Sequence, residues 1–211
     1  MTTPFLKEAT MRGLYLVTPN WDDTDKMLAV TRQALGAGVT LVQYRHKDAS
    51  PGLRESQAAA LLALCRRHGV PFIVNDHLAL CDRIDADGVH VGGTDVPVRA
   101  AREALGAGKI VGASCYGDLE LARLAADAGA SYVAFGGFYP SVVKKYPVTT
   151  APGLIAQAKA ALPVPVVVIG GMTPANARPL VALGADMVAA ISSVYQAADP
   201  AAAVREFGGL F

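Results

Sequence analysis

Short apolar runs alternate with amphipathic segments rich in Ala and Leu along the chain. The apolar runs predict eight β-strands, at residues 14–18, 40–44, 72–75, 88–91, 110–114, 132–135, 166–169 and 187–191. The segments between them have apolar residues at helical spacing and predict helices at residues 24–35, 51–68, 77–83, 96–105, 119–128, 152–161, 174–183 and 200–207. The sequence therefore predicts a series of strand–helix units.

The predicted strands are nearly continuous apolar stretches, which is typical of a parallel sheet covered on both faces. Eight strand–helix units in 211 residues predict an α/β fold, a single (β/α)8 TIM barrel. The alternative, a doubly wound sheet, is disfavoured because no G-x-G-x-x-G turn follows the first strand. No linker interrupts the pattern, so we expect one barrel domain over residues 1–211, with residues 1–12 as an N-terminal extension.

Composition narrows the range of partners. The charge is nearly balanced, with 19 Lys and Arg against 18 Asp and Glu, which argues against nucleic-acid and membrane partners. No apolar stretch is long enough to cross a membrane, and residues 1–11 lack the apolar core of a signal peptide. Three widely spaced cysteines favour buried thiols in a reducing compartment. We expect a soluble, cytoplasmic protein; whether it forms a homo-oligomer is left open.

Catalytic groups in TIM barrels gather at the carboxyl ends of the strands, and polar residues are concentrated there in this chain. After the second apolar run, Gln43, Arg45 and Lys47 stand at alternate positions, so an extended backbone places them on one face. An amide, a guanidinium and an ammonium group together suit a multiply charged anion such as a diphosphate. Taken alone, this motif is more often a solvated strand end.

Two acidic residues follow neighbouring strands of the predicted barrel. Asp76, preceded by Asn75, closes the third strand, and Asp95 follows the fourth. Adjacent strand ends bring these oxygens together, and such oxygens bind Mg²⁺ together with water and substrate. Each aspartate taken alone is better explained as the N-cap of the next helix. The basic face one strand away favours a metal–diphosphate site.

The last two strands end in residues that suit a second anion site. The seventh ends in Gly170-Gly171 and the eighth in Ser192-Ser193. TIM barrels often bind a phosphate with these two loops, through backbone N–H groups and a helix N-terminus. The alternative is that both segments are simple turns.

A long segment, residues 136–147, follows the sixth strand. Its length predicts a cover over the active site. Within it, Lys144 or Lys145 is a candidate to neutralise a leaving phosphate, and Ser141 is a candidate oxygen ligand or phosphate donor. A lysine pair on a loop is ordinarily solvated, which is the competing interpretation.

The histidines carry a weaker signal. His46 is expected to point away from the basic face, and His90, inside the fourth strand, is interpreted as a packing residue rather than a base. No Ser-His-Asp order or histidine cluster is present in the sequence, so nucleophilic and zinc chemistry lack support.

These motifs, in this order, resemble those of the thiamine-phosphate synthase family from residue 13 to residue 193. The signatures are Gln43-x-Arg45-x-Lys47, Asn75-Asp76, Gly88-Val89-His90-Val91-Gly92, Asp95, Gly112-Ala113-Ser114, Pro140-Ser141, Lys144-Lys145, Gly170-Gly171-Met172 and Ile191-Ser192. The resemblance implies a Mg²⁺-dependent barrel enzyme that joins hydroxymethylpyrimidine diphosphate to hydroxyethylthiazole phosphate, giving thiamine phosphate and diphosphate.

The resemblance also implies roles for individual residues. Arg45, Lys47, Ser114 and Lys144 would be catalytic, and Asp76 and Asp95 would ligate Mg²⁺. The diphosphate would be held by Gln43, Arg45, Lys47, Asn75 and Lys144. Ser114 would lie near the pyrimidine, Ser141 would contact substrate, and the thiazole phosphate would be bound by Gly171, Ile191 and Ser192.

The chain departs from the family pattern at three positions. The family usually has Pro-Thr-x-Thr-Lys in the long loop, whereas Val143 here replaces the second hydroxyl. Tyr116 stands where histidine is common, and Gly93 stands where glutamine is common. The departure at Val143 puts one substrate contact in doubt, whereas those at Tyr116 and Gly93 do not touch the expected metal or diphosphate ligands.

Two alternatives belong to other functional classes. A thiazole tautomerase on the same barrel would need a proton shuttle, and the replacement of histidine by Tyr116 counts against it. A non-catalytic binder of phosphorylated thiamine precursors would have no need of a metal–diphosphate site, so Asp76 and Asp95 favour catalysis.

Overall fold

The computed structural model of the chain describes residues 11–93, 95–140 and 150–211. Eight parallel strands form a closed barrel in which each strand pairs with the next along the chain and the eighth pairs with the first. The strands are β1 (Gly13–Val17), β2 (Leu41–Tyr44), β3 (Phe72–Asn75), β4 (Gly88–Gly92), β5 (Ile110–Tyr116), β6 (Tyr132–Gly136), β7 (Val166–Ile169) and β8 (Met187–Ala190). The predicted TIM barrel is therefore confirmed.

Helices follow the strands along the chain. They are α1 (Thr24–Gly36), α2 (Pro51–His68), α3 (Leu78–Arg83), α4 (Val98–Leu105), α5 (Leu119–Asp127), α6 (Gly153–Ala161), α7 (Pro174–Ala182), α8 (Ser192–Tyr195) and α9 (Pro200–Gly208). Helix α4 begins two residues later than predicted, because Pro97 has an extended backbone and serves as the N-cap. The short helix α8 was not predicted, since four residues carry no helical periodicity.

The strands separate two apolar layers, which explains their continuous apolar sequences. Leu14 and Leu16 of β1 face the helices, whereas Tyr15 and Val17 face the interior of the barrel. The interior cluster consists of Tyr15, Val17, Leu41, Ile73, Ile110, Tyr132, Ala134, Val167, Met187 and Ala189. The barrel is therefore a packed core rather than a channel, and it leaves room for ligands only at its ends.

Polar side chains fix the amino-terminal ends of several strands. Asp87 Oδ2 accepts a hydrogen bond from Phe72 N at the start of β3 (2.8 Å), and Asp186 Oδ2 accepts one from Val166 N at the start of β7 (2.7 Å). Asp186 also pairs with Lys159 Nζ at 2.7 Å. These polar groups at the amino-terminal end are hydrogen-bonded or ion-paired with one another, and they stabilise the barrel.

The structure bears on two further expectations, one about membrane-spanning segments and one about the N-terminal extension. None of the described helices has the length and apolar character to cross a membrane. Residues 1–10 lie outside the described part of the chain, so the N-terminal extension stays a prediction. The backbone carbonyl of the neighbouring Arg12 accepts a hydrogen bond from Thr40 Oγ1 at 3.0 Å, which ties residue 12 to the barrel.

Candidate active site

The mouth of the barrel lies at the carboxyl ends of the strands. It has an apolar wall with a few polar side chains, as ligand sites commonly have. The polar side chains are those of Gln43, Arg45, Asn75, His90 and Ser114, and the apolar wall includes Tyr15, Val17, Ala134, Val167, Ile169, Ala189 and Ile191. The structure thus brings together five of the residues selected from the sequence as substrate contacts: Gln43, Arg45, Asn75, Ser114 and Ile191.

Gln43 and Arg45 both line the mouth, as their alternate spacing predicts. They are 4% and 8% exposed, so neither is an ordinary solvated strand end. The backbone N–H of Arg45 donates to Thr18 Oγ1 (2.8 Å), and Thr18 Oγ1 donates to the Arg45 carbonyl (3.2 Å). This pair of bonds continues the β1–β2 contact beyond the strands and fixes the backbone at Arg45.

The loop after β1 supplies a positioning residue that the sequence analysis missed. Asn20 Oδ1 accepts hydrogen bonds from Arg45 Nη1 (3.5 Å) and from the backbone N–H of Lys47 (3.4 Å). Its amide nitrogen donates to Asp48 Oδ2 at 2.7 Å. The available signal was a polar residue two positions beyond Thr18, at the carboxyl end of a strand.

Asp76 and Asp95 lie close together at the rim of the mouth, and neither is a helix cap. The N-cap of α3 is His77, without a side-chain cap bond, and the N-cap of α4 is Pro97. Asp95 Oδ2 instead accepts a hydrogen bond from Gly92 N at 3.0 Å. The cap interpretation is therefore wrong for both aspartates. Asp76 also has a left-handed backbone (φ 62°), which aims its side chain from a sharp turn after β3.

The neighbouring negative charges of Asp76 and Asp95 would favour the binding of a cation. Burial, followed by the hydrogen bond and charge of neighbouring Asp95, raises the pKa of Asp76 to about 6, against the opposing influence of Lys47 and Asn75. Lys47 Nζ lies 3.9 Å from Asp76 Oδ2, and its side chain is half exposed, so it compensates the charge only in part. Two adjacent carboxylates without full compensation form a candidate binding site for a divalent ion.

The donor set fits magnesium better than zinc. No cluster of three or more His, Cys, Asp or Glu side chains suited to a metal occurs in the part of the chain that the structure describes. Zinc sites normally use three or four such protein ligands. Magnesium usually binds one or two carboxylates and keeps water and substrate phosphate as its other ligands. Asp76 and Asp95 meet that requirement.

Ser114 lies near the end of β5, where the pairing with β6 shifts register between Ser114 and Tyr116. Such a bulge re-aims side chains at the end of a strand. His90 Nε2 lies 2.8 Å from Ser114 Oγ, so this histidine is hydrogen-bonded to a proposed substrate contact. His90 is buried and satisfied, in agreement with the sequence interpretation, but its contact with Ser114 was missed.

A second cavity lies between the ends of β7 and β8. Its lining residues are Pro140, Gly171, Met172, Thr173, Ser192, Ser193, Gln196 and Ala197. Gly171 has a positive φ of 64°, and a side chain there would collide with the Pro140 carbonyl oxygen. Ser193 Oγ is buried and has no hydrogen-bond partner among the described residues, so it is free to donate to a ligand. Ile191 lines the mouth instead, which places the two cavities side by side.

The two departures at residues 93 and 116 lie against each other. A Cβ atom at Gly93 would lie only 2.7 Å from the Tyr116 hydroxyl oxygen, so a side chain at 93 would require the Tyr116 side chain to move. Both have positive φ, 54° and 53°. The two changes from the family pattern therefore lie at one place in the structure.

Residues 141–149, which include Ser141, Val143, Lys144 and Lys145, lie outside the described residues, and their predicted roles stay predictions.

Comparison with known proteins agrees with this geometry. The family model described as thiamine monophosphate synthase matches residues 14–194. The chain is 63% identical over 204 residues to a thiamine-phosphate synthase of Janthinobacterium sp. (strain Marseille), covering 97% of this chain and 99% of the relative. A thiamine-phosphate synthase of Xanthomonas campestris pv. campestris (strain 8004) is 50% identical over 204 residues, with 97% of each chain covered.

A solved structure gives the same result for the fold. A thiamine phosphate pyrophosphorylase from Pyrococcus furiosus superposes with a TM-score of 0.83 at 30% identity, over 96% of each chain. Sequence and structure therefore agree over nearly the whole chain. The chain belongs to the thiamine monophosphate synthase family, and it is a transferase of thiamine biosynthesis.

Proposed function

We propose that this protein is a thiamine-phosphate synthase that couples hydroxymethylpyrimidine diphosphate with hydroxyethylthiazole phosphate and releases thiamine phosphate and diphosphate. The observation that carries the proposal is one rim of the barrel mouth. There Asp76 and Asp95 face each other, and Lys47 lies beside them on the same strand end as the buried Arg45. Two carboxylates that could ligate a metal lie next to two cations that could bind an anion. This combination suits a metal-bound diphosphate.

Magnesium would be held by Asp76 and Asp95, and when bound it would neutralise charge on the diphosphate. Arg45, Lys47 and Asn75 would hold the diphosphate oxygens, and Lys144, outside the described residues, is a further proposed ligand of the diphosphate. Arg45 is well suited to this role, because Asn20 and Thr18 already fix it and its guanidinium can donate in a fork. These residues would stabilise the charge that develops as diphosphate leaves.

The two ring substrates would occupy the two cavities. The pyrimidine would enter the apolar mouth, with Ser114 at its polar edge. Gln43, which the resemblance assigns to the diphosphate, donates to the Tyr15 hydroxyl inside this mouth, so we place it beside the pyrimidine instead.

The thiazole phosphate would bind between the ends of β7 and β8 through Gly171 and Ser192, with Ile191 at the border with the mouth. Ser141, outside the described residues, is a further proposed substrate contact. The orphaned hydroxyl of Ser193 supports an anion in that cavity.

This arrangement suits a dissociative displacement. An aminopyrimidine can push electrons to expel diphosphate, and the resulting cation is captured by the thiazole nitrogen. The protein then has to stabilise the departing charge and hold the two rings close together, which are the effects that positioned cations and paired cavities supply. No general base is required, and none has been assigned.

The test is an assay of the purified protein with both substrates and Mg²⁺. We expect thiamine phosphate and inorganic diphosphate in equal amounts, and no turnover after chelation of the metal. Tautomerisation of a thiazole substrate without coupling would contradict the proposal in favour of an isomerase. Binding of the substrates without any product would contradict it in favour of a non-catalytic binder.

We also propose that the enzyme works in the cytoplasm. Cys65, Cys81 and Cys115 are all buried free thiols, and burial raises the pKa of each to about 12. Buried, protonated thiols are typical of a reducing compartment. The same cysteines offer no nucleophile to the active site.

A further inference from the structure

A chain of hydrogen bonds runs through the interior of the barrel and joins two residues of the proposed site. Gln43 Nε2 donates to the Tyr15 hydroxyl at 2.5 Å, and the Tyr15 and Tyr132 hydroxyl oxygens are 2.6 Å apart. The Tyr132 hydroxyl lies 2.9 Å from His90 Nδ1, and His90 Nε2 lies 2.8 Å from Ser114 Oγ. The chain thus connects the polar group of β2 with that of β5.

The amide of Gln43 sets the direction of this chain. An amide nitrogen only donates, so Tyr15 accepts from Gln43, and among the described residues only Tyr132 can accept the Tyr15 hydroxyl proton. Tyr132 then donates to His90 Nδ1, which requires the His90 tautomer with hydrogen on Nε2. His90 Nε2 then donates to Ser114 Oγ. The hydrogen of the Ser114 hydroxyl therefore points away from this series of hydrogen bonds.

Burial and ring packing hold this series of hydrogen bonds in place, and its two phenols stay neutral. Tyr15 and Tyr132 are fully buried, and burial raises the pKa of each well above its ordinary value, so both phenols stay neutral. The rings of His90 and Tyr132 stack at 5.6 Å with an interplanar angle of 19°. Any side chain at Gly112 would collide with both of these rings, so glycine at this strand position makes the contact possible.

We propose that Tyr15, Tyr132 and His90 are positioning residues that fix the hydrogen-bonding pattern of the mouth. They make the Ser114 hydroxyl a donor and leave the Gln43 amide oxygen as an acceptor. That oxygen has no partner in the described part of the chain. A ring with an amino donor and a ring-nitrogen acceptor matches this pattern, whereas a ring with a carbonyl in place of the amino group offers no donor to the Gln43 amide oxygen. The identity of this ligand rests on the proposed function, but the direction of the chain does not.

The first test needs no activity. Nitrogen-15 NMR of histidine-labelled protein distinguishes the two neutral tautomers from the imidazolium, and a His90→Asn variant assigns the His90 signals. We expect His90 to be the neutral Nε2–H tautomer near neutral pH in the ligand-free wild type. A neutral Nδ1–H tautomer or an imidazolium would overturn the proposal, whatever the enzyme assay gives.

The second test compares two tyrosine hydroxyls. Tyr132 does not line the mouth, so Tyr132→Phe can act on a ligand only through its neighbours. Tyr44→Phe is the matched control, because the Tyr44 hydroxyl is also buried and donates to Gln57 Oε1 (3.0 Å) on the helix side of the barrel. We expect Tyr132→Phe to lower kcat by about tenfold or more, without changing KM for the thiazole phosphate.

Ligand selectivity separates positioning from packing. By calorimetry, wild type and Tyr44→Phe should prefer a 4-aminopyrimidine to its 4-oxo analogue, and Tyr132→Phe should lose much of that preference because its Ser114 hydroxyl can rotate. Equal selectivity and equal turnover in the two variants would overturn the proposal. Since selectivity is measured by binding, this result remains informative even if the protein makes no thiamine phosphate.

Discussion

Aspartates stand at both ends of the barrel, and the protein treats them in opposite ways. At the amino-terminal end, Asp186 accepts from Val166 N and pairs with Lys159 Nζ, both at 2.7 Å. At the carboxyl-terminal end, Asp76 faces a second carboxylate, Asp95, and the ammonium group of Lys47, which follows β2, stays 3.9 Å away. The chain compensates the first charge fully and the second only in part. The contrast separates the end that stabilises the fold from the end that performs the chemistry.

The largest expected effect comes from neutralising the carboxyl-terminal pair. Asp76→Asn should lower Mg²⁺-dependent turnover by roughly 10³-fold, because one of two metal ligands loses its charge. Asparagine is the better substitution here than alanine, since it tolerates the left-handed backbone at this position (φ 62°). Thermal unfolding serves as the control and should show a folded protein. Turnover like that of the wild type would remove Asp76 from the metal site.

A smaller effect is expected at the cationic half of the same rim. Arg45→Lys keeps the positive charge but loses the fork and the bond to Asn20, so kcat/KM should fall roughly 10- to 100-fold. Arg66→Lys is the matched control, because its salt bridge with Asp85 lies on the exposed surface and should contribute little. Similar kcat/KM values for the two variants would mean that Arg45 does not hold the diphosphate.

At the amino-terminal end the expected effect is on stability alone. Asp186→Ala leaves Val166 N and Lys159 without their acceptor, which should lower the free energy of unfolding by about 1–3 kcal/mol. Urea titration measures the loss, while kcat well below the unfolding temperature should not change. A large loss of turnover with unchanged stability would abolish the distinction between the two ends.

The smallest effect is the dependence of stability on pH in metal-free protein. The pKa of Asp76 is raised to about 6, so the folded state holds this proton more tightly than the unfolded chain. Its stabilising contribution is complete below the unfolded pKa of about 4 and is lost as the pH rises through 6. Asp76→Asn should therefore gain stability over the wild type in alkaline buffer and little or none in acid, with EDTA present throughout. A difference that does not vary with pH would mean that burial and Asp95 do not raise the pKa of Asp76 in the folded state.

The fold followed from the sequence because a parallel barrel imposes a local pattern. Strands β3 and β7 and helix α2 have the bounds that apolar periodicity predicts. Carboxyl strand ends are adjacent in any such barrel, so Gln43, Arg45 and Asn75 could be assigned to one site before their geometry was known.

The missed features depend on contacts between distant segments. Tyr15 and Tyr132 looked like ordinary core residues, because nothing local shows that two interior hydroxyls meet across 117 positions. The proximity of Gly93 and Tyr116 was equally hidden in two separate departures from the family pattern. The helix-cap interpretation of Asp76 failed because His77 occupies the cap position while the backbone of Asp76 turns left-handed.

The most direct test of a metal–diphosphate site at the carboxyl-terminal end is calorimetric binding of inorganic diphosphate. Titrations of the wild type and Asp76→Asn, each with and without Mg²⁺, separate the metal from the anion. We expect tight binding only to the wild type with Mg²⁺, and at least about tenfold weaker binding in the other three titrations. Equal binding of diphosphate by both proteins, with or without Mg²⁺, would contradict the assignment of this end to a metal-bound diphosphate.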